Sequence, residues 1–453
     1  MIEAINPYSE KSCHGVESLS ESVLNGKIDL VHGAFNDWKS RSFQERGDVL
    51  RNVAKQLRAD KDKLAKLMAE EMGKPIKEGE PEVEKAAWCC EFYAENAQGF
   101  LQDEVLASDA SESLVRYQAL GTILGILPWN APAWLAFRFL APTLMAGNTC
   151  LMKHDPNVPG TAQAIEDAFT KAGAPNDIIA NLPIETERVE AVIRDKRVAA
   201  VSFTGSSAAG SKVAAVAGSE LKRSVLELGG SDPCIVFADA DLEKAADIAV
   251  LSRIINAGQS CIAAKRILIE ASIYEDFIGM LRTRLEKLKL GDPLSRDTDI
   301  GPIARKDLQL NLHRQVQQSI EAGARCLLGG EIPNTTGFFY PVTLLADVTN
   351  KMPAFCEETF GPVAAACSFK NVEHALELAN DTDYGLGAAV WTNNKDTADF
   401  LAKHIVSGQV AINGIVKTDP RLPSGGVKKS GIGRELGPHG IREFVNAKQI
   451  WRA

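Results

Sequence analysis

Nine cysteines are spread through this chain of 453 residues, and Cys261 lies in a segment that would let a small molecule approach its sulfur. The segment N-A-G-Q-S-C-I-A-A-K-R (256–266) follows an apolar helical pattern and precedes the strand-like run R-I-L-I-E. Ser260 and Ala263 are small, and Gly258 permits an unusual backbone angle. A nucleophilic cysteine also needs a group that raises its thiolate fraction and a donor for the oxyanion that its attack creates. The segment alone supplies neither, so a buried structural thiol is the more common interpretation of Cys261.

A carboxylate and an amide that could serve such chemistry stand in two other apolar segments. Glu227 lies inside V-L-E-L-G-G (225–230), where an unpaired carboxylate would be costly to bury and a raised pKa would suit a general base. Pairing with a lysine or a backbone amide across the sheet is an equally good explanation of Glu227. Asn130 ends the run I-L-G-I-L-P-W-N within 123–132, where its amide could donate to an oxyanion or form an ordinary turn.

A third segment, F-T-G-S-S-A-A-G (203–210), joins a strand to a helical pattern. It places Gly205 and Ser206 at a helix N-terminus, where free amides can meet a phosphate. Its glycines are five apart, so it does not fit the dinucleotide-binding pattern G-x-G-x-x-G. S-G-I-G-R-E-L-G (430–437) comes nearer to that pattern, but no strand precedes it, and we interpret it as a chance match.

The elements that must position these segments predict an α/β protein. Apolar residues at three- and four-residue spacing predict helices between residues 40 and 100, one of which ends at Gly73 and Pro75. After residue 113, short apolar runs alternate with helical patterns, which is typical of parallel α/β structure with ligand sites at the carboxyl ends of the strands. A second α/β unit is expected to begin near residue 228. The final run F-V-N-A-K-Q-I-W-R-A reads as a strand with nothing after it to pair with, and we expect it to complete a sheet elsewhere, for example in another subunit.

Composition and charge narrow the class of protein. The net charge of −9, with acidic and basic residues interspersed, offers no polycationic face for nucleic acid. The N-terminus lacks the apolar region of a signal peptide, and no run of about 18 uncharged apolar residues is present, so we predict a cytoplasmic protein without membrane contact. In that reducing compartment we expect free thiols, and the cysteine spacing predicts no metal site.

Seven motifs, taken in chain order, carry a resemblance to a known family. P-W-N, L-M-K, F-T-G-S, E-L-G-G, G-Q-S-C, E-E-T-F-G-P and S-G-G-V-K-K-S-G resemble the aldehyde dehydrogenase superfamily over nearly the whole chain. A-L-G-T-I-L-G-I-L-P-W-N, K-H-D-P-N-V-P-G and L-E-L-G-G-S-D-P are most similar to its bacterial succinate-semialdehyde dehydrogenases. The resemblance implies an α/β fold with three parts: a Rossmann-type cofactor domain (1–100 and 120–227), an α/β catalytic domain (228–430), and an oligomerisation arm, a β-hairpin at 101–119 with the C-terminal strand at 431–453.

The resemblance also implies roles for the three candidate catalytic residues. Cys261 matches the nucleophile that attacks the aldehyde carbon, and Asn130 with the Cys261 amide would hold the oxyanion. Glu227 matches the base that activates water to hydrolyse the resulting thioester. The implied reaction converts an aldehyde, NAD(P)⁺ and water to a carboxylic acid and NAD(P)H.

A further set of residues matches the groove that holds the dinucleotide in this family. They are Lys153 at the adenosine ribose, Gly205 and Ser206 at the pyrophosphate, Trp129 beside the groove, and Glu358 with Phe360 at the nicotinamide ribose and ring. Pro156 stands where NAD-preferring members often carry a glutamate that repels a 2′-phosphate. Either NAD or NADP is therefore allowed.

Arginines are the first candidates for substrate choice. The distal carboxylate of succinate semialdehyde calls for a cation, and Arg138 stands eight residues after Asn130, where succinate-semialdehyde enzymes also carry an arginine. Arg253 is a second candidate. Ser424 replaces the aromatic residue of P-F-G-G, and Ala131 replaces the phenylalanine of P-W-N-F-P, which favours a polar or larger aldehyde as the alternative substrate.

The sequence also bears on functions other than aldehyde oxidation and on the oligomeric state. A cysteine hydrolase or acyltransferase without redox chemistry is the alternative of another class, but none of the seven histidines lies in a motif suggesting a Cys–His pair. A binding protein that keeps only the fold is disfavoured by the three catalytic candidates, and transfer to CoA is disfavoured by Glu227. The alternation of 101–119 predicts an exposed hairpin whose edges need partners, and hence a homodimer or homotetramer.

Overall fold

Strands and helices alternate along most of the chain. The computed structural model describes residues 1–453. The strands are β1 (Ile2–Asn6), β2 (Lys11–Val16), β3 (Glu104–Val105), β4 (Glu112–Ala119), β5 (Thr122–Leu127), β6 (Thr149–His154), β7 (Ile179–Asn181), β8 (Val198–Thr204), β9 (Arg223–Glu227), β10 (Asp232–Val236), β11 (Ala264–Glu270), β12 (Arg325–Leu328), β13 (Thr343–Ala346), β14 (Val363–Phe369), β15 (Gly387–Trp391), β16 (Gln409–Ile412), β17 (Gly431–Ile432) and β18 (Val445–Arg452). The α-helices are α1 (Glu21–Ser40), α2 (Phe43–Ala59), α3 (Lys61–Met72), α4 (Ile76–Phe100), α5 (Pro132–Met145), α6 (Pro159–Lys171), α7 (Val189–Arg194), α8 (Ser207–Ser219), α9 (Leu242–Ile254), α10 (Tyr274–Leu285), α11 (Lys306–Glu321), α12 (Pro353–Cys356), α13 (Val372–Asn380), α14 (Lys395–His404) and α15 (Gly437–Arg442).

The first large sheet has six strands in the order β17-β9-β8-β5-β6-β7. Its neighbours are parallel except for β17, which runs antiparallel to β9. Because β6 and β8 flank β5 on opposite sides, the winding of the chain reverses there, and doubly wound sheets bind ligands at such a point. Asn130, Lys153, Gly205 and Glu227 lie at or just beyond the carboxyl ends of β5, β6, β8 and β9. The topology therefore brings them to one edge.

The second large sheet has seven strands in the order β12-β13-β14-β11-β10-β15-β16, antiparallel only between β12 and β13. The chain crosses from the first sheet to the second between Glu227 and Asp232, so the amino end of the second sheet faces the carboxyl edge of the first. Cys261 lies three residues before the first residue of β11, at this junction. The candidate nucleophile and the candidate base thus come from different sheets that meet end to end.

Both large sheets are covered on their two faces, which explains their nearly continuous apolar strands. In β5, Ile123 and Leu127 pack in one buried cluster, whereas Leu124 and Ile126 pack in the cluster on the opposite face. Burying each such side chain contributes about 1.5–3 kcal/mol. The α/β fold that the alternating pattern predicts is confirmed, and its buried sheets form the rigid support of the site.

The third sheet has three strands in the order β18-β4-β3. β3 and β4 form the predicted hairpin, but the C-terminal strand finds its partner within the same chain. β18 pairs antiparallel with the whole of β4, from Val445 opposite Ala119 to Arg452 opposite Glu112. The C-terminal strand thus completes a sheet elsewhere, as expected, and it does so in its own chain rather than in another subunit. A pairing across more than 300 residues of sequence leaves no local signal that identifies the partner.

The N-terminal region contains both predicted and unpredicted elements. The helix α3 ends at Met72, where Gly73 takes a φ of 80° and its N–H caps the carbonyl of Ala69. The hairpin of β1 and β2 and the helix α1 were not predicted, since their segments are largely polar and carry only short apolar patterns. None of the helices combines the length and the apolar character needed to cross a membrane.

Candidate active site

The loop that carries Cys261 has an unusual backbone held in place by hydrogen bonds. After α9, Asn256 and Ala257 take φ values of 56° and 52°, and Gly258 follows at 74°. Non-glycine residues adopt this left-handed region at a cost and keep it where the surroundings enforce it. The Asn256 side-chain amide donates to the backbone carbonyl of Asn130, at 2.8 Å. The nucleophile loop is therefore tied to the end of β5 in the other sheet.

Gly258 and Arg253 hold the same loop in place through a close backbone contact and a buried hydrogen bond. A Cβ atom added to Gly258 would lie 2.3 Å from the carbonyl oxygen of Gly361, so only glycine fits there. Arg253 is almost fully buried and donates from Nη2 to the Gly258 carbonyl at 2.6 Å. Its guanidinium does not line the cavity around Cys261. Arg253 thus supports the loop, and its predicted contact with substrate stays a prediction.

The Cys261 thiol is half-buried and opens into a cavity of about 410 Å³. Beneath it, the buried ammonium of Lys265 donates to the carbonyls of Ser260 and Cys261, at 2.9 and 2.5 Å. Burial raises the pKa of the Cys261 thiol to about 11, against the opposing charges of Lys265 and Arg138. The resting group at neutral pH is therefore a thiol that must lose its proton before it attacks.

Close backbone contacts explain the two glycines of E-L-G-G. A Cβ atom on Gly230 would lie 2.7 Å from the Cys261 carbonyl, and one on Gly229 would lie 2.3 Å from a Glu358 carboxylate oxygen. The Gly230 N–H donates to Glu358 at 3.0 Å, and the Lys265 ammonium lies 3.4 Å from the same carboxylate. Glycine at both positions lets Glu358 and the nucleophile loop approach the crossing between the sheets.

Glu227 ends β9 as a buried carboxyl group whose partner is an arginine. Its Oε2 accepts from Nη2 of Arg138 at 3.2 Å, and its Oε1 has no hydrogen-bond partner. Arg138 also forms an ion pair with Glu435. Burial raises the pKa of Glu227 to about 8, opposed by Arg138 and reinforced by Glu435. The lysine or backbone amide considered as a structural partner is therefore replaced by Arg138, and the raised pKa suits a general base.

Arg138, on α5, lines the cavity as a cation already engaged by two carboxylates. Ser424 does not reach the cavity: its backbone N–H and carbonyl pair with those of Glu435 at 2.7 and 2.8 Å. This pairing holds Glu435 against Arg138. The structure thus brings Arg138 to the cavity wall but leaves Ser424 behind it.

Asn130 and Cys261 line the same cavity. In the resting structure the Asn130 side-chain amide donates to the carbonyl of Gln259 at 3.1 Å. Gln259 is buried, and its own side chain accepts from the N–H of Ala304 at 2.9 Å. The Asn130 amide is thus oriented toward the nucleophile loop, where a donor for an oxyanion is needed.

The edge between β6 and α8 has the features of a nucleotide groove. Ser206 caps the 13-residue helix α8, so the free amides of its first turn face the carboxyl edge of the sheet. Lys153 is buried at the end of β6, and its ammonium makes no ion pair or hydrogen bond. Burial lowers the pKa of this ammonium, with Asp155 opposing the shift. A buried cation without a partner beside a helix N-terminus fits an anionic dinucleotide.

The other end of the groove is aromatic. The rings of Trp129 and Phe360 meet edge to face, with centroids 5.8 Å apart. Glu358 precedes Phe360 by two residues and contacts the crossing at Gly230. All nine cysteines are free, and no cluster of three or more potential metal ligands is present. The arrangement can therefore support thiol and carboxylate chemistry next to a nucleotide groove.

Comparison with known proteins decides the family. Residues 1–450 match the aldehyde dehydrogenase family. The chain belongs to this family. The dehydrogenase is 46% identical, over the full length of both chains, to a probable NADP(+) succinate-semialdehyde dehydrogenase of Synechocystis. It is 43% identical, over 99% of its own length and 97% of the relative's, to the NAD(P)+ succinate semialdehyde dehydrogenase Sad of Escherichia coli K12.

A solved structure gives the same family likeness. The succinic semialdehyde dehydrogenase of Streptococcus pyogenes, in complex with NADP+, aligns with the dehydrogenase at a TM-score of 0.97 and 34% identity, covering 99% of each chain. The predicted aldehyde dehydrogenase fold is thus confirmed.

Sequence reasoning missed three charged residues of this aldehyde dehydrogenase. Glu435 lies in the segment 430–437, which was interpreted as a chance match to the dinucleotide-binding pattern. It reaches Arg138 because β17, which ends three residues before it, pairs with β9. Lys265 lies at the start of the apolar strand β11, and Lys85 lies on the charged helix α4, so neither lysine differs from its neighbours in the local sequence pattern. A lysine four residues after a candidate nucleophile, at the start of an apolar strand, is the one signal that could have indicated Lys265.

We expect Lys265→Met to make Cys261 of the dehydrogenase less reactive. Lys265 is the largest charge that lowers the thiol pKa, so its loss raises that pKa and should slow alkylation by about tenfold at a fixed pH near 8. The measurement is the rate of iodoacetamide reaction against pH. Lys77→Met, which removes a lysine paired with Asp299, is the control. An alkylation profile identical to that of the wild type would contradict the expectation.

Proposed function

We propose that this aldehyde dehydrogenase oxidises succinate semialdehyde to succinate, with NADP⁺ or NAD⁺ as the hydride acceptor. The observation that carries the proposal is the cavity at Cys261, which combines a nucleophile with cationic side chains, among them Arg138 and Lys85. An anionic aldehyde suits such a cavity better than a neutral one does. The relatives named above, which act on this semialdehyde, support the same substrate.

The first chemical step belongs to Cys261. Its thiolate attacks the aldehyde carbon and forms a C–S bond, while the carbonyl oxygen takes the negative charge. Asn130 Nδ2 and the Cys261 N–H are the proposed donors to that oxyanion. Because the resting Cys261 has a raised pKa, a base must accept its proton, and the carboxylate form of Glu227 can do so.

The last step belongs to Glu227. Once the carbon has been oxidised, Cys261 holds the acyl group as a thioester. Glu227 accepts a proton from water as the water oxygen attacks the acyl carbon, and the C–S bond then breaks to release the acid. Arg138, which lines the Cys261 cavity, stays paired with Glu227 and Glu435 and so holds the Glu227 carboxyl group at the cavity wall.

The dinucleotide, when bound, accepts the hydride that leaves the aldehyde carbon. We propose that Lys153 contacts the ribose of its adenosine and that Gly205 and Ser206 bind the pyrophosphate at the N-terminus of α8. Trp129, Phe360 and Glu358 are the proposed contacts of the nicotinamide end. Pro156, three residues after Lys153, stands where a glutamate would repel the 2′-phosphate of NADP, so NADP is compatible with that position, whereas the carboxylate of Asp155 next to it could still oppose the phosphate.

Location and assembly are further parts of the proposal. We propose a cytoplasmic homo-oligomer, a dimer or a tetramer. The eight-residue strand β18 pairs on one side only, and its Trp451 is exposed, which supports a partner subunit along that edge. Light scattering of the purified enzyme measures the mass that decides the subunit number.

A substrate panel tests the proposed function. We expect kcat/KM with NADP⁺ to be higher for succinate semialdehyde than for butanal, because only the semialdehyde adds a carboxylate for the cationic cavity to bind; a charge-assisted contact supports a preference of about tenfold or more. Reduced cofactor and acid should form in equal amounts. Equal or higher activity with butanal would contradict the substrate. Ester hydrolysis without any aldehyde oxidation would favour a cysteine hydrolase instead.

A further inference from the structure

Five cations line the cavity around Cys261, and most of them are already paired. They are Lys74, Lys77, Lys85, Arg138 and Lys417. Lys74 pairs with Glu82, Lys77 with Asp299, and Arg138 with Glu227 and Glu435. Lys417 is exposed to solvent. Lys85, half-buried on α4, is the cation that lacks both a carboxylate partner and full contact with water.

The carboxylates nearest Lys85 are occupied by other groups. Glu82, one helical turn before it on α4, pairs with Lys74. The same carboxylate accepts the N–H groups of Ala133 and Trp134, at 2.9 and 3.1 Å, and so caps the first turn of α5. Asp419 pairs with Arg421. Glu78, the other carboxylate that lines the cavity, accepts the N–H of Asn256 at 2.7 Å. None of these three carboxylates forms an ion pair with Lys85.

The contacts of the Lys85 ammonium leave donors unused. Its Nζ donates to the hydroxyl of Thr418 at 2.8 Å and lies 4.2 Å from the centroid of the Trp134 ring. The Trp134 N–H donates to the same hydroxyl at 3.1 Å. An ammonium has three N–H donors, and the two that Thr418 does not engage have no acceptor in the protein. Lys85, Trp134 and Thr418 all line the cavity, so these donors are available to a molecule inside it.

The electrostatics of Lys85 also favour an anion. Burial, together with the nearby charge of Arg138, lowers the pKa of its ammonium to about 8, while Glu82 opposes the shift. The positive charges of Lys85 and Arg138 repel each other in this partly buried site. An anion bound next to Lys85 relieves both the desolvation and the repulsion.

We propose that Lys85, with the Thr418 hydroxyl, binds the distal carboxylate of the aldehyde substrate. This inference rests on the proposed oxidation of a semialdehyde and assigns its specificity to a lysine on α4. Arg138 is less suited to the task, because it already serves two carboxylates, one of them the candidate base. A substrate carboxylate on Arg138 would compete with Glu227 for the same guanidinium.

The test compares Lys85→Met with wild type on two aldehydes of equal carbon number, succinate semialdehyde and butanal. We expect Lys85→Met to lower kcat/KM for succinate semialdehyde, mainly through KM, by about 10- to 100-fold more than for butanal. Lys85→Arg should restore most of the difference. Lys77→Met, a paired lysine of the same cavity, should keep the wild-type ratio. Arg138→Gln should slow both substrates, because it removes the partner of Glu227.

A second measurement does not depend on turnover. Succinate should protect Cys261 from iodoacetamide in the wild type and protect it at least about tenfold less well in Lys85→Met. The assignment to Lys85 would be overturned if Lys85→Met lowered kcat/KM equally for both aldehydes and succinate still protected Cys261 in this variant. It would also be overturned if Lys417→Met, and not Lys85→Met, abolished the preference for succinate semialdehyde. A wild type that does not prefer succinate semialdehyde would overturn the proposed substrate and the Lys85 site with it. A wild-type preference that survives in Lys85→Met would overturn the Lys85 site alone.

Discussion

Cys261→Ser is expected to lower kcat for aldehyde oxidation by about 10³-fold or more, because a serine hydroxyl in the same loop is a far weaker nucleophile than a thiolate. The loop itself should persist, since its hydrogen bonds use backbone atoms and the side chains of Asn256, Arg253 and Lys265. The measurement is steady-state formation of reduced cofactor from succinate semialdehyde. Binding of the dinucleotide, followed by fluorescence, should be nearly unchanged in this variant.

Cys326→Ser is the matched control for the nucleophile. Cys326 is an exposed cysteine on β12 and does not line the cavity, so its replacement should leave kcat within about twofold of the wild type, as for most surface changes. If Cys261→Ser kept a tenth or more of wild-type activity, the thiol would not be the nucleophile.

Glu227→Gln is expected to lower steady-state kcat by about 10²- to 10⁴-fold, because an amide cannot accept the proton of the attacking water. Glutamine keeps the shape of the side chain, and Arg138 keeps its pair with Glu435. At high pH, where hydroxide can take the Cys261 proton in place of Glu227, a first turnover of reduced cofactor should still appear as a burst, because hydrolysis of the acyl-enzyme is then the step that the variant slows. Stopped-flow absorbance separates this burst from the steady state.

The pH dependence gives the same prediction a second readout. Glu227 must be ionised to act as a base, and burial raises its pKa to about 8, so kcat of the wild type should rise with pH through that value. The rise should vanish in Glu227→Gln. In Glu435→Gln it should move to lower pH, because the charge of Glu435 contributes to the raised pKa of Glu227. A wild-type profile that is flat between pH 6 and 9, or Glu227→Gln turnover equal to wild type, would contradict the assignment of the base.

Much of the fold follows from local patterns of the sequence. The buried strands β5, β8 and β11 are apolar runs bounded by glycine, proline and polar residues, and their type can be assigned without a structure. The end of α3 at Gly73 follows from the left-handed conformation that glycine adopts easily. The pairing of β18 with β4 does not follow, because it joins segments at opposite ends of the chain.

Local sequence patterns also predict some residues of the candidate site and not others. Asn130, Lys153, Gly205 and Glu227 stand where apolar strands end, so parallel topology alone predicts that they gather at one edge. The small neighbours of Cys261 and Gly258 suggest access to its sulfur but do not distinguish it from a structural thiol, so its role is inferred from the order of the seven motifs.

Three charged residues of the site, Glu435, Lys265 and Lys85, carry little local signal in the sequence. Glu435 reaches Arg138 through a two-residue strand, and Lys265 reaches the carbonyls beneath Cys261 through the geometry of its loop. Lys85 stands on a helix with many charges, and its lack of a carboxylate partner inside the cavity is a property of the packed structure. Pairing of charges depends on contacts between distant elements, and those contacts have no periodic signal along the chain.

The most direct test of the account is to trap the acyl group on the enzyme. Glu227→Gln is mixed with succinate semialdehyde and NADP⁺ at high pH, where hydroxide can take the Cys261 proton, and is then quenched in acid, digested and analysed by mass spectrometry. We predict one succinyl thioester on Cys261 for each molecule of NADPH formed in the burst. NADPH formed while Cys261 stays unmodified, or a succinyl group on another residue, would contradict the central claim that aldehyde oxidation proceeds through Cys261.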